Sequence, residues 1–334
     1  MPATLRDVAT RSGVSLRTVY YVLSRTVRIA PDTEAKVRQA MDDLGYRPNL
    51  LAQGLRKGRT QVLAMMVPEL DVPYFSELVR IVIHAARERG YILMLDQTDG
   101  HAAREREMLD DLARTGLFDG IIVSSLGLTP EDIADQKVPI VLLGEHLVGE
   151  LHDHVTIDSA AAAKDATNHL LDLGRTRIAA IGDQKSRTAS LRTQGYLEAH
   201  RDRGVAVDDN FIVKARRYHR SYGADAVQRL WQQNARRPDG LFCYNDLLAL
   251  GAMKELHRLG LRVPDDVAVI GFDDIEEGEY SIPGLSTVSP DKAQIGTTAI
   301  DLLADRIAGR RTGPGEKVVI DHNLVIRGST SGTD

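Results

Sequence analysis

From residue 61 onward, short apolar runs alternate with helical stretches, and this alternation restricts the fold more than any other feature. The runs are "QVLAMMVP", "YILMLDQT", "DGIIVSS", "PIVLLGE", "RIAAIGD", "GLFCYND" and "VAVIGFDD". Between them lie segments of helical period, among them "FSELVRIVIHAARERG", "SAAAAKDATNHLLDLG", "TQGYLEAHRDRG" and "LLALGAMKELHRLG". Strand, crossover helix and strand in repetition predict parallel sheets, and about 270 residues of the pattern suit two sheets better than one. Ligands of such sheets sit at the carboxyl ends of the strands. The residues that follow each run therefore carry the functional interest: Tyr74 and Phe75, Asp99, Glu145 and His146, Asn245 and Asp246, Asp273 and Asp274. Aromatic faces beside carboxylates and an amide suit a small polyol or heterocycle.

The first 60 residues follow a different pattern. They hold 11 Lys and Arg against 5 Asp and Glu, while the other 274 of the 334 residues hold 31 against 42. A basic head on an acidic body points to a polyanionic partner for the head. In "TLRDVATRSGVSLRTVYYVLS" two short helical patterns flank Gly13. Thr4 caps the first, which turns Leu5, Val8 and Ala9 to one side. Ser15 caps the second, in which Val19, Val22 and Leu23 point inward while Leu16, Arg17, Tyr20, Tyr21 and Ser24 share the outer face. A third helix starts near Asp32, offers Ala35, Val37, Ala40, Met41 and Leu44 to a core, and stops at Gly45. Two helices across a glycine turn, braced by a third, form a helix-turn-helix, whose second helix enters the DNA major groove.

"TLRDVATRSGVSLRTV" followed by "APDTEAKVRQAMDDLGYRPNLLAQGLRKGRT" resembles the DNA-binding head and hinge of the lactose-repressor (LacI) family of bacterial transcription regulators. "VTIDSAAAAKDATNHLLDLGRTRIAAIGD" and "NDLLALGAMKELHRLGLRVPDDVAVIGFDDIEEGEYSIPGLSTV" are similar to that family's sensor, itself similar to periplasmic sugar-binding proteins. The resemblance implies a small all-α helix-turn-helix head plus an α/β two-lobed sensor built from two parallel doubly wound sheets. It implies a head over 1–47, a hinge helix and linker over 48–60, and an effector-binding and dimerisation domain over 61–330. The lobes of that domain would be about 61–160 plus 291–318, and about 161–290 plus 319–330.

Carried over residue by residue, the resemblance makes Leu16, Arg17 and Tyr21 base readers, with Arg28 as an addition. Thr4, Leu5, Ser15, Thr18, Tyr20, Ser24 and Asn49 would face sugar and phosphate, and Ala52 and Leu55 the minor groove. Where most members carry Ser-Arg this chain has Tyr20-Tyr21, and tyrosine cannot offer a guanine the two donors of arginine. Tyr21 either reads a different base or packs on the head's surface. Effector contacts are implied for Tyr74, Phe75, Arg192, Tyr218, Asn245 and Asp273, with Thr188 as a further candidate. Each has a plainer alternative: Phe75 as core, and Arg192 as partner to an acid of its own lobe. Asp246 and Asp274 read as loop braces, Asp158 as a helix cap, and Trp231 as core. His84, His169 and His257 read as surface or packing residues, and Cys243 as a small buried hydrophobe.

Other classes fit less well. No G-x-G-x-x-G follows the first strand, and G-x-x-x-x-G-K-[ST], G-x-S-x-G and a histidine pair at metal spacing are missing, which argues against an enzyme. No run of about 18 apolar residues and no secretory pattern occurs, so a cytoplasmic protein without membrane contact is expected. A transport binding protein would have no use for a basic helical head. The expected partners are a pseudo-palindromic double-stranded DNA operator, a second copy of the chain, and a small effector, with carbohydrate favoured over a purine-like nucleobase. No cofactor or metal is expected. If Leu55 wedges into a base step, Leu55→Ala should weaken specific binding and DNA bending, measured by gel mobility, far more than nonspecific binding.

Overall fold

A computed structural model describes residues 3–24, 27–47, 59–145, 151–233 and 236–332. The chain divides into two compact units, 1–60 and 61–334. Asn49, Ala52, Leu55 and His146 lie outside the described residues, as do most of the expected hinge and the side chain of Ser24.

The described residues of the first unit form three helices, α1 (Leu5–Ser12), α2 (Leu16–Ser24) and α3 (Pro31–Asp43). Thr4 and Asp7 form a capping box at the start of α1, and Gly13 ends it with φ of 68°, a left-handed conformation that glycine takes without strain. Ser15 Oγ accepts from the Thr18 amide at 3.1 Å and so caps α2. Val8, Val19, Val22, Val37 and Ala40 form the core. Ala35, expected inside, is exposed because Val37 and Ala40 set the buried stripe of α3.

The second unit holds two six-stranded sheets. In chain order its elements are β1 (Val62–Val67), α4 (Pro73–Glu88), β2 (Ile92–Gln97), α5 (Ala102–Arg114), β3 (Gly120–Ser124), β4 (Ile140–Leu143) and β5 (Asp153–Ile157). There follow α6 (Ser159–Asp172), β6 (Ile178–Asp183), α7 (Arg187–Asp202), β7 (Ile212–Lys214), α8 (Arg220–Gln233), β8 (Gly240–Cys243), α9 (Asp246–Arg258) and β9 (Ala268–Phe272). β10 (Ser286–Pro290), α10 (Lys292–Ile307), β11 (Lys317–Ile320) and β12 (His322–Val325) complete it. The sheets run β11-β5-β4-β3-β1-β2 and β12-β10-β9-β8-β6-β7. All pairings are parallel except β10 with β12. Both sheets reverse their strand order in the same place, between β1 and β3 and between β6 and β8, the switch points where open α/β sheets bind ligands.

Alternate residues of β1 enter different cores: Leu63, Met65 and Val67 join one, Val62, Ala64 and Met66 the other. Both faces of the strand are covered, which is why it reads as an unbroken apolar run. The chain passes between lobes three times, after Ile157, after Pro290 and after Ile320. Helix α6 packs on α7 and on the second sheet. Helix α6, from Ser159, goes with the second sheet, and β11, through Ile320, pairs in the first.

Where α6 meets α7, Gly195 lets the backbones touch: a Cβ there would stand 2.1 Å from the Ala160 carbonyl oxygen. Gly195→Ala must push α7 outward and should destabilise the protein by about 1–3 kcal/mol, read as a lower urea midpoint with the slope unchanged.

Candidate functional site

On the head, the outer face of α2 carries the nominated readers. Ser15, Leu16 and Arg17 are exposed, Thr18, Tyr20 and Tyr21 half-buried, and Val19 and Val22 closed off beneath them. The Tyr21 hydroxyl oxygen accepts from Arg17 Nε at 2.6 Å. Tyr20 meets the Tyr21 ring edge-on, centroids 6.2 Å apart. Leu5 packs half-buried against the core. The Thr4 hydroxyl donates to Asp7 at 2.7 Å, and the Thr4 side-chain and backbone bonds hold the Asp7 carboxyl below the usual carboxylate range. Arg28 is exposed.

In the second unit a cavity of about 350 Å³ opens between the lobes at the carboxyl ends of both sheets. All seven side chains nominated from the sequence line it: Tyr74, Phe75, Thr188, Arg192, Tyr218, Asn245 and Asp273. Pro73 starts α4 at its edge, so the next two residues put their rings there, edge to face at 5.3 Å. Phe75 also packs with Val72, Leu247 and Ile275, an apolar cluster shared by both lobes.

Arg192 is 6% exposed, and its guanidinium carbon lies 3.5 Å from the centre of the Phe272 ring. One Nη donates to the Tyr244 carbonyl, the other is 3.9 Å from Asp273, and Nε meets no partner among the described residues. Asp273 adopts φ of 110°, a conformation that costs a non-glycine residue about 1–3 kcal/mol and collects at functional sites. Burial lifts its carboxyl pKa to about 7, against the pull of Arg192 and Lys292 and with a further push from Glu145. Lys292 Nζ donates to the carbonyls of Asp273 (2.9 Å) and Asp274 (2.7 Å) and pairs with Glu77 at 2.5 Å. Tyr218 buries a hydroxyl that has no well-formed hydrogen bond, though Gln184 is within its reach, and burial raises its pKa.

Two nominees have other duties. Asn245 caps α9 by accepting from the Leu248 amide at 2.9 Å, and its amide nitrogen donates to the Tyr218 carbonyl at 3.2 Å. One donor and one lone pair remain to it. The Thr188 hydroxyl donates to Glu145 at 2.8 Å, and Ser159 donates to the other oxygen of the same carboxylate at 2.6 Å. Glu69, also in the lining, meets Arg217 at 3.1 Å and His219 at 2.9 Å. Both carboxylates belong to the first lobe and reach into the second, so each bridges the lobes at the cavity. Glu69 stands as near the end of β1 as Asp99 does to β2, so its position was readable. Its partners, 148 and more residues away, were not.

The residues read as structural behave so. Asp246 is buried, accepts from Thr287 and the Ile275 amide, and is raised well above the usual carboxylate range by that burial. Asp274 pairs with Arg327 at 2.9 Å, and Asp158 caps α6. Asp99 lines the cavity and pairs with Arg104 at 3.0 Å. Trp231 packs half-buried on the core, His84 and His257 are exposed, and His169 bonds Thr330 at 2.9 Å. Cys243 is buried, which pushes its thiol pKa up. Among the described residues no group of three His, Cys, Asp or Glu could hold a metal ion, and no helix is long and apolar enough to cross a membrane.

Residues 4–49 match the family model described as bacterial regulatory proteins, lacI family, and residues 167–330 match a periplasmic binding protein-like domain. The repressor CytR of Escherichia coli is 31% identical over 332 residues, spanning 98% of this chain and 96% of CytR. A solved complex of the transcriptional regulator CelR with cellobiose is 30% identical, spans 98% of this chain and 99% of that one, and has a TM-score of 0.74. The lac repressor dimer bound to operator and the anti-inducer ONPF is 25% identical, spans 99% of both chains, and has a TM-score of 0.86.

The raised pKa of Asp273 predicts a pH dependence. Between its unfolded value near 4 and its folded value near 7 the unfolded chain releases a proton that the folded chain keeps, so stability falls as pH rises through this window. Asp273→Asn removes that loss. The variant should melt higher than the wild type at pH 8 and nearly the same at pH 4.

Proposed function

The chain belongs to the LacI family of bacterial regulatory proteins and is a DNA-binding transcriptional repressor, and on that premise we propose that its operator affinity is set by a sugar or sugar derivative held between the lobes. The observation that carries this reading is convergence. Seven side chains from distant parts of the chain line one cavity at the switch points of both sheets. They supply what a polyol needs: aromatic faces for its C–H surface, a carboxylate in Asp273 to accept hydroxyl protons, and a guanidinium in Arg192 to donate. A planar purine would favour two parallel walls, whereas the Tyr74 and Phe75 rings stand at 73°. The sugar in the CelR complex, from a relative of nearly equal length, supports the same class.

Such a ligand shifts operator binding only through different affinities for two arrangements of the lobes. The Glu69 and Glu145 bridges are the contacts that would change between them. A coupling of about 1–3 kcal/mol would alter operator affinity roughly 5–150-fold. The head would read one half-site and a second copy of the chain the other, as in the lac repressor dimer on its operator.

The test is a thermal-shift screen of monosaccharides, disaccharides and nucleobases. A true effector at a hundredfold excess over its Kd adds about 2.7 kcal/mol and raises Tm by several degrees. Asp273→Ala should abolish that shift and the change in operator affinity, while operator binding without ligand stays within about twofold. Equal loss of both would make Asp273 a structural residue, and a shift with nucleobases alone would replace the sugar with a purine.

A further inference from the structure

The two adjacent tyrosines of α2 belong to a line of contacts that ends on an arginine. The Tyr20 ring sets its edge against Tyr21 at an interplanar angle of 60°. Tyr21 Oη accepts from Arg17 Nε at 2.6 Å, and the Arg17 guanidinium carbon lies 5.4 Å from the centre of the Tyr21 ring. Tyr21 stands four positions after Arg17, so the two share one face of the helix, the face turned away from Val19 and Val22. Arg17 is exposed, and among the described residues no acceptor meets either of its Nη groups.

We propose that Arg17 and Tyr21 form one preassembled guanine reader, in which Tyr21 orients the arginine and the two Nη groups pair with O6 and N7 of a guanine in each half-site. The inference rests on the reading of the head as an operator-binding unit. The chemistry follows from what each atom has left. With Nε engaged by the phenol oxygen, the guanidinium keeps a planar fork of Nη donors, the geometry that matches the two acceptors on the major-groove edge of guanine. An exposed arginine would ordinarily lose rotamer freedom as it docks; a bond made before DNA arrives moves part of that loss out of the binding step. Tyr21 retains its own hydroxyl proton, so it can accept from Arg17 and still donate to a phosphate oxygen. Tyr20 limits the tilt of the Tyr21 ring and so the height of its oxygen. The sequence position that lacks arginine thus supports a guanine contact made one turn earlier.

The test uses the full-length protein. A palindromic site is selected from a random DNA library, and failure to recover one overturns the operator-binding reading and this inference with it. On the recovered site, each symmetry-related guanine pair is replaced in turn by 7-deazaguanine, which pairs normally but lacks N7. Affinity is read by fluorescence anisotropy at fixed salt. One pair should cost the wild type about tenfold or more. Tyr21→Phe keeps the ring and loses the oxygen; it should lose most of that discrimination at the same base pair, with the salt slope, which counts cationic phosphate contacts, unchanged. Arg17→Ala should lose it too, and the double variant should be no worse than Arg17→Ala alone. The proposal is overturned by a wild type indifferent to every 7-deazaguanine, by Tyr21→Phe discriminating as the wild type does, or by the two variants losing discrimination at different base pairs.

Discussion

Parallel strands covered on both faces leave a sheet only its ends to offer, and the rest of the sensor follows from that constraint. The β1 residues split alternately between two cores, and helices close both sides. Polar side chains that cannot enter the sheet collect in the loops beyond its carboxyl edge. Two sheets of the same winding, joined by three passages of one chain, present those edges to each other. The cavity is the space left between them, and its polar lining is what the two cores exclude.

The head obeys the opposite economy. A small core of three α-helices, mostly valine, leaves much of the surface of α2 uncovered. What fills that surface is decided within the helix, by partners one turn apart. Arg17, Tyr20 and Tyr21 contact one another along that face.

Legibility in the sequence followed burial chemistry except at β2, an apolar run whose Ile92, Met94 and Leu95 are exposed. Strands β1, β4, β8 and β9 are apolar along their whole length, and β3 is apolar up to its last residue, Ser124, so they announce themselves. β5 is central to its sheet yet reads as "DHVTI": Asp153 is neutralised by Arg306 at 2.8 Å, and His154 and Thr156 are buried beside it. β10 hides in the same way, because Ser286 and Thr287 bond Thr330 and Asp246 inside the fold. β7, β11 and β12 are short and at least partly exposed, so burial leaves little pattern in them. Residues that flank strand ends could be nominated one at a time because position alone marks them. The pairings of Glu69 with Arg217 and Glu145 with Thr188 depend on how two lobes meet, and no local pattern encodes that. Tyr21 shows a different limit: its place on the outer face was evident, but its bond to Arg17 turns on rotamers.

Lys292 carries a consequence beyond its own bonds. Its ammonium has three hydrogens and three acceptors: two backbone carbonyls at Asp273 and Asp274 of the second lobe, and the carboxylate of Glu77 on α4 of the first. It stands two residues past Pro290, where the chain leaves the second sheet for the first. With no donor to spare for a visitor, it works as a rivet. The loop that presents Asp273 is thereby fastened to the lobe across the cleft as well as to its own, and a force applied to that carboxylate is shared by both bodies at their common seam.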